Sequence, residues 1–102
     1  MGYDEWLTDV RETQEYTRWF ASLRDRKVRA RIEMRIYRLG LGNPGDVRSV
    51  GGGVSELRIH FGPGYRVYFR QQGCEVVILL AGGDKNTQQA DIRKARVLAT
   101  QI

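Results

Sequence analysis

Residues 54–73, VSELRIHFGPGYRVYFRQQG, alternate between apolar and polar side chains on both sides of Gly62-Pro63-Gly64. A period of two on either side of such a segment predicts two strands joined by a turn. Leu57, Ile59 and Phe61 fall on one side of the first strand, and Glu56, Arg58 and His60 on the other. In the second, Tyr65, Val67 and Phe69 oppose Arg66, Tyr68 and Arg70. The parity of the turn decides whether these rows agree. A three-residue turn sets Phe61 across from Tyr65, His60 from Arg66, Arg58 from Tyr68 and Glu56 from Arg70, and both apolar rows then share a face. An even-length turn would put the arginines of one strand behind the apolar row of the other. The pattern therefore commits the chain to an antiparallel sheet with one dry side and one charged side.

The flanking sequence supplies the rest of an α+β domain. Residues 5–12 alternate loosely and suggest a first strand. Thr13 can cap a helix whose Tyr16, Trp19, Phe20 and Leu23 follow the spacing of one buried face. Asp25 can cap a second helix to about Leu39, with Val28, Ile32, Ile36 and Leu39 as its apolar stripe, stopped by GLGNPG. From residue 46 the period becomes two: DVRSV is a short strand, GGG a joint, and the opening hairpin follows. CEVVILLAGG reads as a strand buried on both faces. Asn86 or Thr87 can cap a last helix with the stripe Ile92, Ala95, Leu98 and Ile102. The expected architecture is an N-terminal strand, a helical hairpin, an antiparallel twisted sheet and a C-terminal helix, in one domain over residues 1–102. The helices are expected on one face of the sheet and the arginine row on the other.

Charge points to the kind of partner. Of 17 basic residues 14 are arginine, and the net charge is +5. Arginine's planar fork suits phosphate, so an anionic partner such as nucleic acid or an acidic protein competes with plain surface solubility as the explanation. The second helix is the most basic element, carrying Arg24, Arg26, Lys27, Arg29, Arg31, Arg35 and Arg38 on or beside it. The single cysteine, Cys74, excludes an intrachain disulfide and reads as a buried thiol. There is neither an apolar run of membrane-spanning length nor an apolar signal core at the N-terminus, so a cytoplasmic protein is expected.

The charged face of the hairpin has the ingredients for RNA chemistry. Cleavage by a neighbouring 2′-hydroxyl needs a base, cations for the phosphate and an acid for the leaving 5′-oxygen, and requires no metal. Arg58, Arg66, Arg70 and Lys85 could hold the charge of the transition state. Glu56, His60 and Lys85 are the candidates for base, since arginine stays protonated. Tyr68 could donate a hydrogen bond or stack on a base. Each has a plainer reading: Glu56 and Arg70 as a cross-strand ion pair, His60 as a solvated residue beside a turn, Lys85 as an ordering partner of Asp84. Gly82-Gly83 is weak as a phosphate cradle without GxGxxG or GxxxxGK, and no CxxC, HExxH or carboxylate cluster indicates a metal site.

GNPGDVRSVGGGVSELRIHFGPGYRVYF followed by VILLAGGDKNTQQADIRKA resembles the RelE/ParE toxin superfamily, nearest to its phage-derived, HigB-like branch of addiction module killer proteins. The likeness runs through the chain and is strongest from Leu39 to Ala95. It implies a cofactor-free toxin of a type II toxin–antitoxin system that cleaves mRNA on the ribosome by 2′-hydroxyl attack. It also implies a toxin–antitoxin hetero-oligomer with an adjacently encoded helix-turn-helix antitoxin. By resemblance Arg66 matches the arginine that stabilises the scissile phosphate. Arg58 and His60 fall where two alternating basic residues occur, one of which acts as base. Lys85 matches the basic residue that serves the leaving group. The superfamily's late tyrosine has no counterpart, because no aromatic follows Phe69. The basic helix would suit ribosomal RNA or an acidic antitoxin segment. Two other readings compete: a ParE-like, non-catalytic inhibitor of DNA gyrase, and an RNA-binding module without toxicity.

Overall fold

A computed structural model of the protein describes residues 8–102. The elements are β1 (Asp9–Glu12), α1 (Gln14–Ser22), α2 (Arg26–Gly40), β2 (Val47–Gly51), β3 (Val54–Ile59), β4 (Tyr65–Gln72), β5 (Val76–Asp84) and α3 (Gln88–Ala99), with a 3₁₀ turn at Lys85–Thr87. This is the expected α+β order. The first strand occupies the second half of the expected 5–12 segment, and residues 5–7 lie outside the described residues. No helix among the described residues is long and apolar enough to cross a membrane.

The five-stranded sheet has the order β1-β5-β4-β3-β2. β2 through β5 run antiparallel, and β1 joins β5 in parallel, so the sheet is mixed. A parallel partner needs a long crossover, and the two helices with β2–β4 provide it. β5 lies between β1 and β4, as its near-continuous apolar run requires.

The local signals of the helices hold. The Thr13 hydroxyl accepts from the Tyr16 amide and also donates to Leu80 O at 2.6 Å, so the cap of α1 is pinned to the sheet. Asp25 accepts from the Lys27 amide at 2.8 Å and caps α2. Before α3 the caps are divided differently from expectation. Asp84 accepts from the Asn86 amide, while Thr87 spends its hydroxyl on Asp91 Oδ2 at 2.5 Å.

The hairpin keeps the expected parity but not the expected register. Glu56 pairs with Tyr68, Leu57 with Val67, Arg58 with Arg66 and Ile59 with Tyr65. Both apolar rows share a face, yet the pairing is shifted by two residues. Gly62 (φ +58°) and Gly64 (φ +85°) take left-handed conformations, and Gly64 N–H closes on Phe61 O at 3.1 Å. The turn therefore consumes His60 and Phe61 and is longer than three residues, leaving His60 beyond the ladder.

The helices do not all lie on one face, which corrects the sequence expectation. α1 and α2 pack with Leu57, Ile59, Val67, Phe69, Val77 and Leu79 in one core. α3 packs on the opposite face, where Ile92, Ala95 and Ala99 meet Val54, Tyr68, Leu80 and Ala81. Gly82 and Gly83 let both layers close in. A β-carbon on Gly82 would fall inside the Trp19 indole of α1, and one on Gly83 would fall on the Asp91 carboxylate of α3. Two further expectations fail. Cys74 is exposed, because β5 begins only at Val76 and Cys74 lies in the turn before it. Ile102 is exposed beyond the end of α3, and Ala99 completes the buried stripe in its place.

Candidate functional site

The charged row of the hairpin is organised by a buried carboxylate. Glu56 is fully buried on the α3 side of β3. Tyr68 Oη donates to its Oε2 at 3.0 Å and Gln88 Nε2 to the same oxygen at 2.8 Å, while Arg58 Nε donates to Oε1 at 3.1 Å. Arg48 Nε stands 3.4 Å from Oε1 and Arg66 Nε 3.5 Å from Oε2. Burial works to raise the Glu56 carboxyl, but the bonds from Gln88, Arg58 and Tyr68 and the charge of Arg66 outweigh it and hold it below the ordinary carboxylate range. The Tyr68 phenol is pushed up by burial and by the neighbouring Glu56 charge, and stays neutral.

This corrects two expectations. Tyr68 is fully buried, so its ring is not offered for stacking on a base. Glu56 is an ion-paired interior group, shielded from anything that binds the face. The expected Glu56–Arg70 pair does not form. The register shift carries Arg70 away, and its Nη1 donates to Ala99 O at the end of α3, 2.8 Å distant.

Three other predicted residues do converge. His60, Arg66 and Lys85 line one open hollow of about 380 Å³ with the turn Phe61–Gly64. β4 brings Arg66 there, and the Asp84-capped turn brings Lys85. Gly64 sits between them: a β-carbon there would stand 3.8 Å from both Arg66 Nη1 and Lys85 Cβ. Arg66 is oriented by Nη1 donating to Gly64 O at 3.2 Å, and its buried Nε has no hydrogen-bond acceptor among the described residues. Arg58 faces Arg66 across the ladder and stays partly accessible. The Arg66 guanidinium, a lysine and an exposed imidazole around one hollow, with Arg58 next to Arg66 on the ladder, make a seat for an anion such as a phosphate, with a proton acceptor among its lining.

His60 Nε2 lies 2.6 Å from Asp46 Oδ2. The hydrogen bond to His60 holds the Asp46 carboxyl below its ordinary range against an upward push from burial, with the charges of His60, Arg58 and Arg35 adding to the fall.

The basic residues of the second helix do not form one surface. Lys27, Arg31, Arg35 and Arg38 line a groove of about 670 Å³ with the apolar Ala30, Met34, Ile59 and Phe61, and with His60. Arg26 and Arg29 line a different hollow beside Glu33. Arg24 is exposed in the α1–α2 connection. Arg35 is used internally: it donates to Arg58 O, to Pro44 O at 2.9 Å and to Asp46 O at 3.4 Å. Arg31 lies over the Phe61 ring, 4.6 Å from its centroid.

Sequence reasoning missed Asp46, Arg48 and Gln88. Gln88 carried a usable signal, since it stands four residues before Ile92 and so on the buried stripe of α3. Asp46 follows a Pro-Gly loop and carried none.

Residues 18–101 match the family described as Phage derived protein Gp49-like (DUF891). The chain is also similar to an uncharacterized protein of Haemophilus influenzae, 45% identical over 93 residues, covering 91% of this chain and 94% of that protein.

Proposed function

The chain belongs to the phage-derived Gp49-like family, a toxin-like family related to the RelE and HigB type, and on that premise we propose that it is the toxin of a type II toxin–antitoxin pair, acting as a ribosome-dependent mRNA endonuclease. The observation that carries the proposal is the hollow shared by His60, Arg66 and Lys85.

A scissile phosphodiester seated there meets Arg66 and Arg58 on one side and Lys85 on the other. His60 takes the proton of the ribose 2′-hydroxyl, and the 2′-oxygen attacks the adjoining phosphorus. The bond from phosphorus to the 5′-oxygen breaks, and Lys85 supplies that oxygen with a proton. The products are a 2′,3′-cyclic phosphate and a 5′-hydroxyl end. His60 is the proton acceptor of choice because it is exposed at the hollow, whereas Glu56 is buried and saturated with donors. The cations act by matching the charge that grows on the phosphate oxygens. The neutralising partner would be an antitoxin, and the groove beside α2, lined by both apolar and cationic side chains, suits an acidic amphipathic segment. Nothing in the site favours a gyrase-binding reading.

Primer extension on a reporter mRNA in a translating extract tests the proposal. Purified protein is expected to cut within codons only when ribosomes are present, and Arg66→Ala to lower the rate at least about 100-fold. An intact message with a folded, growth-arresting protein would overturn it.

A further inference from the structure

His60 lines the hollow, and Asp46, which does not, meets the back of its ring at Nε2. Asp46 is on the loop between α2 and β2, and His60 is the first residue after β3. The β2–β3 register, continued past Val47 and Leu57 by the bond from the Arg58 amide to Asp46 O, sets Asp46 opposite Arg58 and one diagonal step from His60. We propose that Asp46 is a positioning residue for His60: it holds the ring by Nε2, so that Nδ1 is the nitrogen presented to the ribose 2′-hydroxyl. This rests on the endonuclease reading for its chemistry, but its geometry stands apart from it.

The identity of the free nitrogen follows from the partner. An ionised carboxylate accepts hydrogen bonds and donates none. At 2.6 Å from Asp46 Oδ2, Nε2 must therefore carry a hydrogen. In the neutral ring the lone pair then belongs to Nδ1. When Nδ1 takes the substrate's proton, the positive ring that forms lies against the Asp46 carboxylate.

The carboxylate is itself held in place. Asp46 O accepts from the Arg58 amide at 3.0 Å. Arg35 reaches from α2 to bind Pro44 O, Asp46 O and Arg58 O together. One guanidinium thus ties the loop that carries Asp46 to the strand end that carries His60. Burial lowers the Arg35 guanidinium against the opposing charge of Asp46, with Arg38 adding to the fall, yet arginine remains charged throughout the working range.

The surroundings make Asp46 distinctive. The two hollows that His60 lines carry Lys27, Arg31, Arg35, Arg38, Arg66 and Lys85 and no acid. With Arg58 also close, Asp46 is the carboxylate in hydrogen-bond contact with the ring, and Glu56 is turned inward onto Arg58. Among the described residues no other group bonds the ring, so without Asp46 nothing there fixes its tautomer.

Long-range proton–nitrogen NMR spectra of the full chain test the inference directly. The wild-type ring is expected as a single Nε2–H tautomer. Asp46→Asn, whose amide can donate, and Asp46→Ala, which offers nothing, should each bring in the Nδ1–H form or an averaged ring, while Asp46→Glu keeps the wild-type pattern. Carbon-detected titration of the Asp46 carboxyl gives a second readout, and His60→Ala should move it upward. In cleavage assays Asp46→Asn is expected to lower kcat about 100-fold with KM little changed, and to add little to the loss in His60→Ala. Unchanged ring spectra in Asp46→Asn and Asp46→Ala would overturn the inference. Absence of cleavage by the wild-type chain would overturn the endonuclease reading, and the spectra would then decide the positioning by themselves.

Discussion

At the scale of single residues, Glu56 shows how a buried carboxylate can hold the cations of a site while being shielded from whatever binds there. Its two oxygens take bonds from Arg58, Tyr68 and Gln88 and lie against Arg48 and Arg66. Removing one side of a buried ionic cluster leaves the other side uncompensated, and that asymmetry sets the cost. Glu56→Ala is expected to destabilise the fold by about 3 kcal/mol, read from urea midpoints, and to slow RNA cleavage by loosening both guanidiniums. Glu56→Gln keeps the shape and should cost less. Alternation in the sequence identified which residues share a face with Glu56, and His60, Arg66 and Lys85 do meet. It carried no information on depth. Depth is set by α3, which covers the Glu56 and Tyr68 end of the charged row and leaves the turn end open.

At the scale of elements, the hairpin and the double glycine behave differently from their local signals. Parity was legible because it is a property of the two strands. Register was not, because it depends on how many residues the turn absorbs, and two left-handed glycines let it absorb more. Gly82-Gly83 looked like a weak phosphate loop and is a packing device, since Gly82 lies under Trp19 and Gly83 under Asp91. Gly82→Ala is expected to cost about 1–3 kcal/mol through overpacking and to change Trp19 fluorescence, since an indole cannot step aside as a flexible chain end can. Thr13→Ala removes the α1 cap and its bond to Leu80 O, and a loss of about 1 kcal/mol in thermal or chemical denaturation is expected.

For the whole molecule, acid sensitivity follows from the depressed carboxyls. Glu56 lies below its ordinary range in the folded chain, so it contributes stability above the unfolded value of about 4. That contribution is lost as pH falls through the lower folded value. Urea midpoints should therefore be level from pH 7 to pH 5 and drop below about pH 4, and Glu56→Gln should flatten the drop. If the proposed RNA substrate is the ligand, salt should act on the cationic groove and hollow together and weaken its binding steeply, as counterion release predicts.

The strand order also decides how this chain meets other chains. β2 is an edge of the sheet, and an edge is an open template for another strand. Here the template is cut short. The pairing of β2 slips between Ser49 and Gly51, and the Val50 carbonyl at the slip is already taken by Arg96 from α3, whose Nε donates at 2.9 Å. Three residues of regular backbone, with the charged Arg48 among them, are too few to recruit a passing strand. Along that border the molecule resists fibre growth, and a partner that binds there must do so through side chains, by shape and charge.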